Sequence, residues 1–156
     1  MPSRRERKLI AKNRSAHHEY CIEETYECGV ELSGTEVKSL RERGCQISDT
    51  FALIRGGECW LMGVHIHPYS HGSIFNRDPD RRRKLLLHRK EIDHLDQKLR
   101  TRGYALVPLE LYFNDQGRVK LMLGLGRGKK LYDKREDMAK RDMQREIERA
   151  LKERSR

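Results

Sequence analysis

Histidine is the residue type in this sequence that most readily binds a metal or transfers a proton near neutral pH. In a strand, His65 and His67 would point to the same side, and His71 follows nearby. Three histidines without a carboxylate or a close cysteine are more typical of a protein surface than of a metal site. They are also the only support for a histidine-dependent nuclease, the weakest functional hypothesis. We therefore expect no metal, no cofactor and no enzymatic activity.

The cysteines and the apolar runs indicate the compartment. None of the four cysteines forms a C-x-x-C pair, and a reducing compartment keeps such residues as thiols. They are Cys21, Cys28, Cys45 and Cys59. No apolar run approaches the ~20 residues needed to span a bilayer, and the basic N-terminus lacks the apolar segment of a signal peptide. We expect a cytoplasmic protein that does not enter a membrane.

Positive charge is concentrated at the two ends of the chain. Residues 1–14 hold six Lys or Arg against one Glu, and residues 129–156 hold 11 Lys or Arg against seven Asp or Glu. The segment between them, residues 15–128, has 17 basic and 16 acidic residues. A nearly neutral body between cationic segments is typical of nucleic-acid binding, although such segments can also serve only solubility. We predict an N-terminal arm (1–14), one folded domain (15–128) and a basic C-terminal tail (129–156).

One long strand and two short helices are predicted by residue pattern. Apolar and polar residues alternate from Tyr20 to Leu32, and Glu24 interrupts the apolar side as a bulge or bend would. A capping box formed by Ser33 and Glu36 begins the first helix, which ends near Gly44. The second helix follows three leucines and ends at Gly103; its apolar face is formed by Ile92, Leu95 and Leu99.

Two hairpins complete the predicted body. The first joins Phe51–Ile54 to Cys59–Ile66 through a turn with two glycines, which supply positive φ angles. The apolar residues Trp60, Met62, Val64 and Ile66 are expected to form one face of its second strand. The second hairpin joins Tyr104–Phe113 to Arg118–Leu125. Between the hairpins, His67–Arg83 is a long loop, of a length typical of functional or mobile segments.

These elements favour a mainly β fold with peripheral helices. Five or six antiparallel strands are predicted, and we expect them to form a small OB-like barrel. Closure removes exposed sheet edges, and this architecture often binds nucleic acid. The fold by itself does not establish that function.

The tail is predicted to be a marginal helix. Its apolar residues recur at every fourth position, a stripe too narrow to pack against a core. Its i,i+4 ion pairs contribute only ~0.2–0.5 kcal/mol each. We expect it to be disordered when free and helical when bound. We interpret the glycines at 124, 126 and 128 as flexible backbone where the last strand leaves the barrel.

Three segments of the sequence resemble the SmpB family, the SsrA-binding proteins of bacterial trans-translation. They are Gly34–Arg41, the stretch from Asp78-Pro79 to His88, and Gly128–Glu136. Shorter matches lie at Asn13-Arg14, Tyr20, Glu27–Gly29 and Val107–Leu109, so the resemblance covers about residues 11–142 in order. Two details depart from the family: Gly44 comes one position later than expected, and Gly126 stands where alanine is common.

The resemblance implies an OB-like barrel with peripheral helices that performs no covalent chemistry. Members of the family bind transfer-messenger RNA (tmRNA) and deliver it to ribosomes stalled on broken messages. We therefore expect an RNA-binding adaptor whose partners are the tRNA-like domain of tmRNA and the ribosome, including the RNA of its small subunit. We expect it to act as a monomer on RNA. A general OB-type binder of single-stranded RNA, or a ribosomal protein, remains the alternative.

The resemblance also implies which residues of the body contact tmRNA. Glu27 would accept hydrogen bonds from base edges or 2′-hydroxyls, since a carboxylate is repelled by phosphate. Without the resemblance, Glu27 is one of several solvent-facing glutamates of its strand. The full set of candidate contacts is Asn13, Arg14, Glu27, Lys38, Arg41, Lys84, Leu86 and His88.

The spacing of these residues along the sequence would let two groups of them each face one side of the protein. Lys38 and Arg41 lie three positions apart on the first helix and can face one partner. Lys84, Leu86 and His88 share a side if their segment is extended, so they would offer a cation, an apolar contact and a ring to an RNA loop.

In the tail, the resemblance implies contacts with the decoding site and the mRNA channel. Lys129 and Lys130 would meet phosphates of ribosomal RNA, and Tyr132 would stack on an unpaired base for ~1–3 kcal/mol. The residues that would hold the tail in the channel are Asp133, Lys134 and Arg135.

Overall fold

The computed structural model describes residues 7–70 and 76–129, together with residues 144, 145, 147–150 and 152. The first two ranges contain, in order, β1 (Lys8–Lys12), α1 (Ala16–Glu19), β2 (Tyr20–Val30), α2 (Gly34–Arg43), β3 (Phe51–Arg55), β4 (Glu58–Met62), β5 (Arg83–Leu86), α3 (Arg89–Leu99), β6 (Tyr104–Phe113) and β7 (Val119–Gly128). The prediction of a mainly antiparallel β fold with peripheral helices is confirmed. Among the described residues, no helix has the length and apolarity to cross a membrane.

Six of the strands close into a ring. Their order is β6-β3-β4-β5-β2-β7, with β7 pairing again with β6, and each of these pairings is antiparallel. β1 adds to one end of β6, and β3 meets β6 only at Ala52 and Leu106. The core inside the ring is rich in leucine: Leu61, Leu85, Leu106, Leu121, Leu123 and Leu125 are each at most 1% exposed. The ring places the outer faces of β4, β5 and β2 side by side.

The first long strand and the first helix form as their patterns predicted. Even-numbered residues of β2 face the interior more than odd-numbered ones, and its register against β7 shifts between Ile22 and Glu24. The interruption at Glu24 therefore marks a β-bulge. In α2, Ser33 and Glu36 form the predicted capping box, and the helix ends at Gly44, whose φ is +64°. Glycine adopts this conformation without the strain of a Cβ.

The sheet begins earlier in the chain than expected. Lys8–Lys12, inside the segment predicted as a basic N-terminal arm, pairs with Glu110–Phe113 of β6. The backbone N–H of Asn13 then donates to the Leu109 carbonyl at 2.8 Å and continues this attachment. Only residues before Arg7 lie outside the description at this end. The division into arm, domain and tail stays a prediction.

The prediction for β4 was wrong in length, and the four apolar residues predicted to form one face do not share it. The strand ends at Met62, because Gly63 has a φ of +83° that turns the chain out of the sheet. Trp60 and Met62 point outwards and are half-buried, whereas the buried residues are Cys59 and Leu61 in the strand and Val64 and Ile66 beyond it. Both faces of this strand are apolar, so the choice of buried face could not be read from polarity.

The glycine-rich end of β7 is packed tightly between strands. Gly124 and Gly126 pair with both β2 and β6. A Cβ on Gly126 would lie 2.9 Å from the carbonyl oxygen of Cys21, and one on Gly124 would lie 3.0 Å from Leu109 Cδ1. The interpretation of these two residues as flexible backbone was therefore wrong, since their role is close strand approach. Gly128 does stand at the end of β7, and no atom lies within 4 Å of the position that a Cβ would take there.

The described part of the tail is helical and exposed. Helix is assigned at residues 144, 145, 147–150 and 152, and Ile147 is 57% exposed. Residues 130–143 lie outside the described residues, so the transition from disorder to helix on binding stays a prediction.

Candidate nucleic-acid interface

Strand β5 has an inner and an outer face with different chemistry. Leu85 is 1% exposed in the core, while the next residue, Leu86, is 51% exposed on the outside. Leu86 lies opposite Gly29 of β2, and a Cβ on Gly29 would come within 3.3 Å of it. The bare backbone of Gly29 thus leaves room for Leu86 on the outer face. The segment is extended, as the predicted sharing of a side by Lys84, Leu86 and His88 requires.

Lys84 and His88 flank Leu86 along the chain. The Lys84 Nζ donates to Glu58 Oε1 on β4 at 2.9 Å. This hydrogen bond, with the charges of Glu58 and then Glu31, raises the pKa of Lys84 above its ordinary value. His88 is exposed at the N-terminus of α3, where its backbone N–H donates to Glu91 Oε1 at 3.1 Å. Both side chains are accessible to a partner on the outer face.

Glu27 lies on the adjacent strand, two residues from Gly29, and its carboxylate is held by two neighbours. The Tyr112 hydroxyl donates to Glu27 Oε2, and an Arg7 guanidinium nitrogen lies 3.5 Å from the same oxygen. Burial and then this hydrogen bond raise the pKa of Tyr112. The Glu27 side chain remains 43% exposed. It is therefore an oriented acceptor that a ligand can still reach.

Beneath β5 lies a buried cluster of charges that was not predicted. Arg83 is fully buried, and its Nε and one terminal nitrogen donate to Glu36 Oε2 at 3.1 and 2.9 Å. Arg81 donates to the other oxygen of Glu36. Arg83 also donates to the carbonyls of Val64 and Pro79. The cluster ties α2, β5 and the segment before β5 together, and so fixes the strand that carries Leu86.

The pKa of Glu36 reflects this environment. Burial alone would raise it, but hydrogen bonds from Arg81, from the Ser33 backbone N–H and from Arg83 outweigh burial and lower the pKa. Glu36 therefore serves both as the helix cap and as the anion that neutralises two arginines. The sequence showed the cap, but the run Arg81–Arg83 was assigned only to the end of the long loop His67–Arg83.

Lys38 and Arg41 are exposed on α2 and contact other parts of the molecule. The Lys38 ammonium lies 5.8 Å from the centre of the Tyr69 ring. The Arg41 guanidinium lies 5.2 Å from the Phe113 ring and 3.5 Å from the carbonyl of Gly117, in the turn between β6 and β7. The two residues lean on different parts of the molecule, so their facing one partner stays a prediction; α2 is joined to β5 through Glu36.

Asn13 and Arg14 are adjacent in sequence but differ in exposure. Asn13 is 5% exposed; its side chain donates to the Pro108 carbonyl at 2.9 Å and accepts from the Ser15 hydroxyl at 3.1 Å. These bonds give Asn13 a structural part in joining β1 and α1 to β6. Arg14 is exposed. Contact of either residue with RNA stays a prediction.

A second polar cluster anchors α3. The Tyr26 hydroxyl donates to Glu24 Oε2 at 2.7 Å, and His94 Nε2 lies 3.0 Å from the same oxygen. Burial and this hydrogen bond raise the pKa of Tyr26 to about 12. The pKa of Glu24 is lowered, first by the Tyr26 hydrogen bond and then by His94. Glu24, which borders the bulge, thus helps to hold the helix that begins next to His88.

Neither the histidines considered for metal binding nor the cysteines form a cluster of metal ligands among the described residues. His65 Nδ1 lies 2.7 Å from Asp80, so a carboxylate does accompany one histidine, and His71 lies outside the described residues. Within the described ranges no three potential ligands come together. All four cysteines are free; burial raises the pKa of Cys45 to about 11 and that of Cys59 to about 12. The absence of metal and of catalysis stays a prediction.

Of the predicted tail contacts, only Lys129 is described. Its ammonium donates to the carbonyl of His17 in α1 at 2.6 Å. The other predicted contacts, Lys130, Tyr132, Asp133, Lys134 and Arg135, lie outside the described residues. Their part in ribosome binding stays a prediction.

Comparison of the whole chain with known proteins gives consistent matches. The family model for SmpB protein matches residues 10–153. An SsrA-binding protein from Fervidobacterium nodosum is 51% identical over 145 residues, which cover 93% of this chain and 97% of the relative. An SsrA-binding protein from Geotalea uraniireducens is 56% identical over 149 residues, covering 96% and 98%.

A solved structure also resembles the fold. The match is a chain of "tmRNA-SmpB: a journey to the center of the bacterial ribosome", with a TM-score of 0.62 and 50% sequence identity. It covers 76% of this chain and 82% of that chain. Sequence and fold therefore agree over most of the molecule, and the chain belongs to the SmpB protein family.

Proposed function

We propose that this protein is an RNA-binding adaptor of trans-translation. Its folded body binds the tRNA-like domain of tmRNA and delivers that RNA to stalled ribosomes, which places its work in the cytoplasm. The observation that carries the proposal is the match, at 50% identity, to a chain solved as part of tmRNA-SmpB in the bacterial ribosome. The protein acts by binding and positioning, and no covalent step is part of the proposal.

The outer faces of β2 and β5 supply the RNA surface in this proposal. Glu27 is an oriented and accessible acceptor, and Leu86 is an exposed apolar contact two residues further along the paired strands. Lys84 and His88 add a cation and a ring on either side of Leu86. Single-stranded loops of RNA are recognised through such combinations of phosphate, stacked base and base edge. Lys38, Arg41, Asn13 and Arg14 would extend the contact.

Residues 129–156 have a separate role in the proposal. They would enter the decoding site and the mRNA channel, with the basic residues meeting phosphates of ribosomal RNA and Tyr132 stacking on a base. Lys129, held against α1 by its hydrogen bond to His17, marks where this segment leaves the body.

A binding assay with matched glutamate variants tests the body. Full-length protein is titrated with a transcript of the tRNA-like domain of tmRNA, in the presence of excess bulk tRNA. Glu27→Ala is expected to weaken binding roughly 10- to 100-fold, because hydrogen bonds to charged groups contribute about 1.5–3 kcal/mol. Glu23→Ala, on the same face of β2 but towards its other end, is the control and should bind normally. Equal affinity of the Glu27 variant would remove this residue from the interface.

The competitor separates the proposal from its alternative. A general binder of single-stranded RNA or a ribosomal protein would lose the transcript to bulk tRNA and show a steep salt dependence without preference for tRNA-like structure. Deleting residues 129–156 should leave transcript binding intact but abolish tagging of stalled chains in a reconstituted translation system. Full tagging by the truncated protein would disprove the role of the tail.

A further inference from the structure

An apolar patch covers the outer face of the first hairpin. The patch consists of two cross-strand pairs, Phe51 with Met62 and Leu53 with Trp60. Phe51 is 51% exposed, and the other three are half-buried. Their neighbours Ala52, Cys59 and Leu61 fill the core instead. In an antiparallel sheet the outer face is ordinarily polar, so four apolar residues there indicate a binding surface.

Cations border this patch and one of them is already stacked on it. The Arg82 guanidinium lies 4.1 Å from the centre of the Trp60 ring, and Arg82 itself is exposed. Lys84 is the cross-strand partner of Trp60 on the other side, and Arg55 follows Leu53 on the same face of β3. Glu58 is an acidic residue in this border and is engaged by Lys84.

The patch is continuous with the RNA surface proposed above. β4 pairs with β5 and β5 pairs with β2, so the outer face runs from Trp60 through Lys84 and Leu86 to Glu27 without leaving the sheet. Aromatic rings and arginine planes on a sheet, bordered by cations, are the chemistry that stacks an unpaired base and neutralises its phosphate. Protein–protein interfaces also have polar rims, so a protein partner is the alternative occupant that the test must exclude.

We propose that the Trp60–Arg82 pair is a stacking site for an unpaired nucleotide of the bound RNA. The base lies against the Arg82–Trp60 stack, its apolar edge faces Leu53 and Met62, and its phosphate meets Lys84 or Arg55. This inference rests on the proposed function, because it extends the same RNA surface across β4. It assigns binding roles to Trp60 and Arg82 that the sequence had not suggested.

The chain provides its own probe for the test, since Trp60 is the only tryptophan in the sequence. Full-length protein is titrated with the tRNA-like transcript while tryptophan emission is recorded and binding is measured separately by filter retention. Emission is expected to be quenched with the same midpoint as binding. Acrylamide is expected to quench Trp60 less in the complex, because a stacked base would shield the ring.

Variants then measure the contribution of the stack. Trp60→Ala is expected to weaken binding roughly 5- to 150-fold, the range for loss of one stacked base. Trp60→Phe should retain most of the affinity, and Arg82→Met should lose more than Arg82→Lys. Leu9→Ala, which removes a side chain of β1 that is 56% exposed and lies outside the proposed RNA surface, is the control for general effects of such truncations and should bind normally. Circular dichroism establishes that each variant is folded.

The outcomes separate this inference from the proposed function. Tight transcript binding with unchanged Trp60 emission and unchanged acrylamide quenching would disprove the stacking site and leave the adaptor role intact, with a protein partner as the occupant of the patch. Absence of transcript binding by the unmodified protein would disprove the adaptor role itself. The emission measurement requires no substitution, so the inference is testable even if Trp60→Ala does not fold.

Discussion

Arg83 and Lys84 are neighbours in β5, yet their environments differ completely. The Arg83 guanidinium is fully buried and joined to Glu36, while the Lys84 ammonium is on the surface and joined to Glu58. A buried charge is tolerated only with a full set of partners, whereas a surface ion pair contributes ~0–1 kcal/mol. The comparison shows one strand performing two tasks. Its inner charge holds the strand in place, and in the proposed function its outer charge would exchange a carboxylate for a phosphate.

Removing the inner charge should have the largest effect. Arg83→Met leaves Glu36 buried with fewer partners, and losing one member of a buried pair typically costs about 3–5 kcal/mol. Chemical denaturation should show this loss of unfolding free energy. The double variant Glu36→Leu/Arg83→Met should recover part of it, because the buried carboxylate is gone and the remaining cation, Arg81, is 26% exposed and can be solvated. Equal stability of Arg83→Met and the unmodified protein would mean that the inner charge does not hold the strand.

The same buried group predicts how stability depends on pH. The pKa of Glu36 is below its ordinary value of 4.5 in the folded protein. Its contribution to stability is therefore complete above about pH 4.5 and declines as the pH falls through the folded pKa, because the unfolded chain takes up the proton first. When the free energy of unfolding is plotted against pH, the curves of the unmodified protein and of Glu36→Gln should converge over this acidic range. A constant difference between the two curves there would contradict the lowered pKa of Glu36.

On the outer face, truncating the apolar contact should affect binding and leave folding almost unchanged. Leu86→Ala removes a side chain that is 51% exposed, so its unfolding free energy should change by about 0.5 kcal/mol or less. Affinity for the tRNA-like transcript should fall severalfold, since about 0.8 kcal/mol is lost per CH₂ no longer buried on binding. Leu9→Ala, also exposed, is the control for stability. A large loss of stability without loss of affinity would reverse the assignment of faces.

The smallest effect is expected for the outer charge. Lys84→Gln should change stability little, because the Lys84–Glu58 pair lies on the surface. If Lys84 meets one phosphate, the slope of log affinity against log salt concentration should become shallower by ~0.7–0.9. Lys90→Gln, an exposed lysine on α3, is the matched control. An unchanged slope would exclude a phosphate contact at Lys84.

Local pattern predicted those parts of the fold in which neighbours in sequence are neighbours in space. The alternation of β2, its bulge at Glu24 and the capping box of α2 depend on residues a few positions apart, and all three are present in the structure. The exposure of Leu86 beside buried Leu85 also follows from alternation, once the segment is extended.

The remaining features depend on contacts between distant segments. The burial of Arg83 requires Glu36, 47 residues earlier, and nothing local distinguishes this arginine from Arg81 or Arg82. The separation of outward Trp60 from buried Val64 and Ile66 follows from the turn at Gly63, so the alternation of apolar residues alone wrongly predicted one shared face. The orientation of the Glu27 carboxylate could not be predicted from local sequence either, because it depends on the hydrogen bond from Tyr112 on β6.

The crowding at Gly126 links two positions that sequence would treat as independent. The methyl group of an alanine at this position would occupy the space now filled by Ile22 Cδ1, only 2.9 Å away. One small volume is therefore shared between β7 and β2. An alanine at position 126 would therefore need a shorter residue or another rotamer at position 22, together with a shift of the Cys21 carbonyl oxygen, which also lies 2.9 Å from that Cβ. Substitutions at positions 126 and 22 are expected to depend on each other.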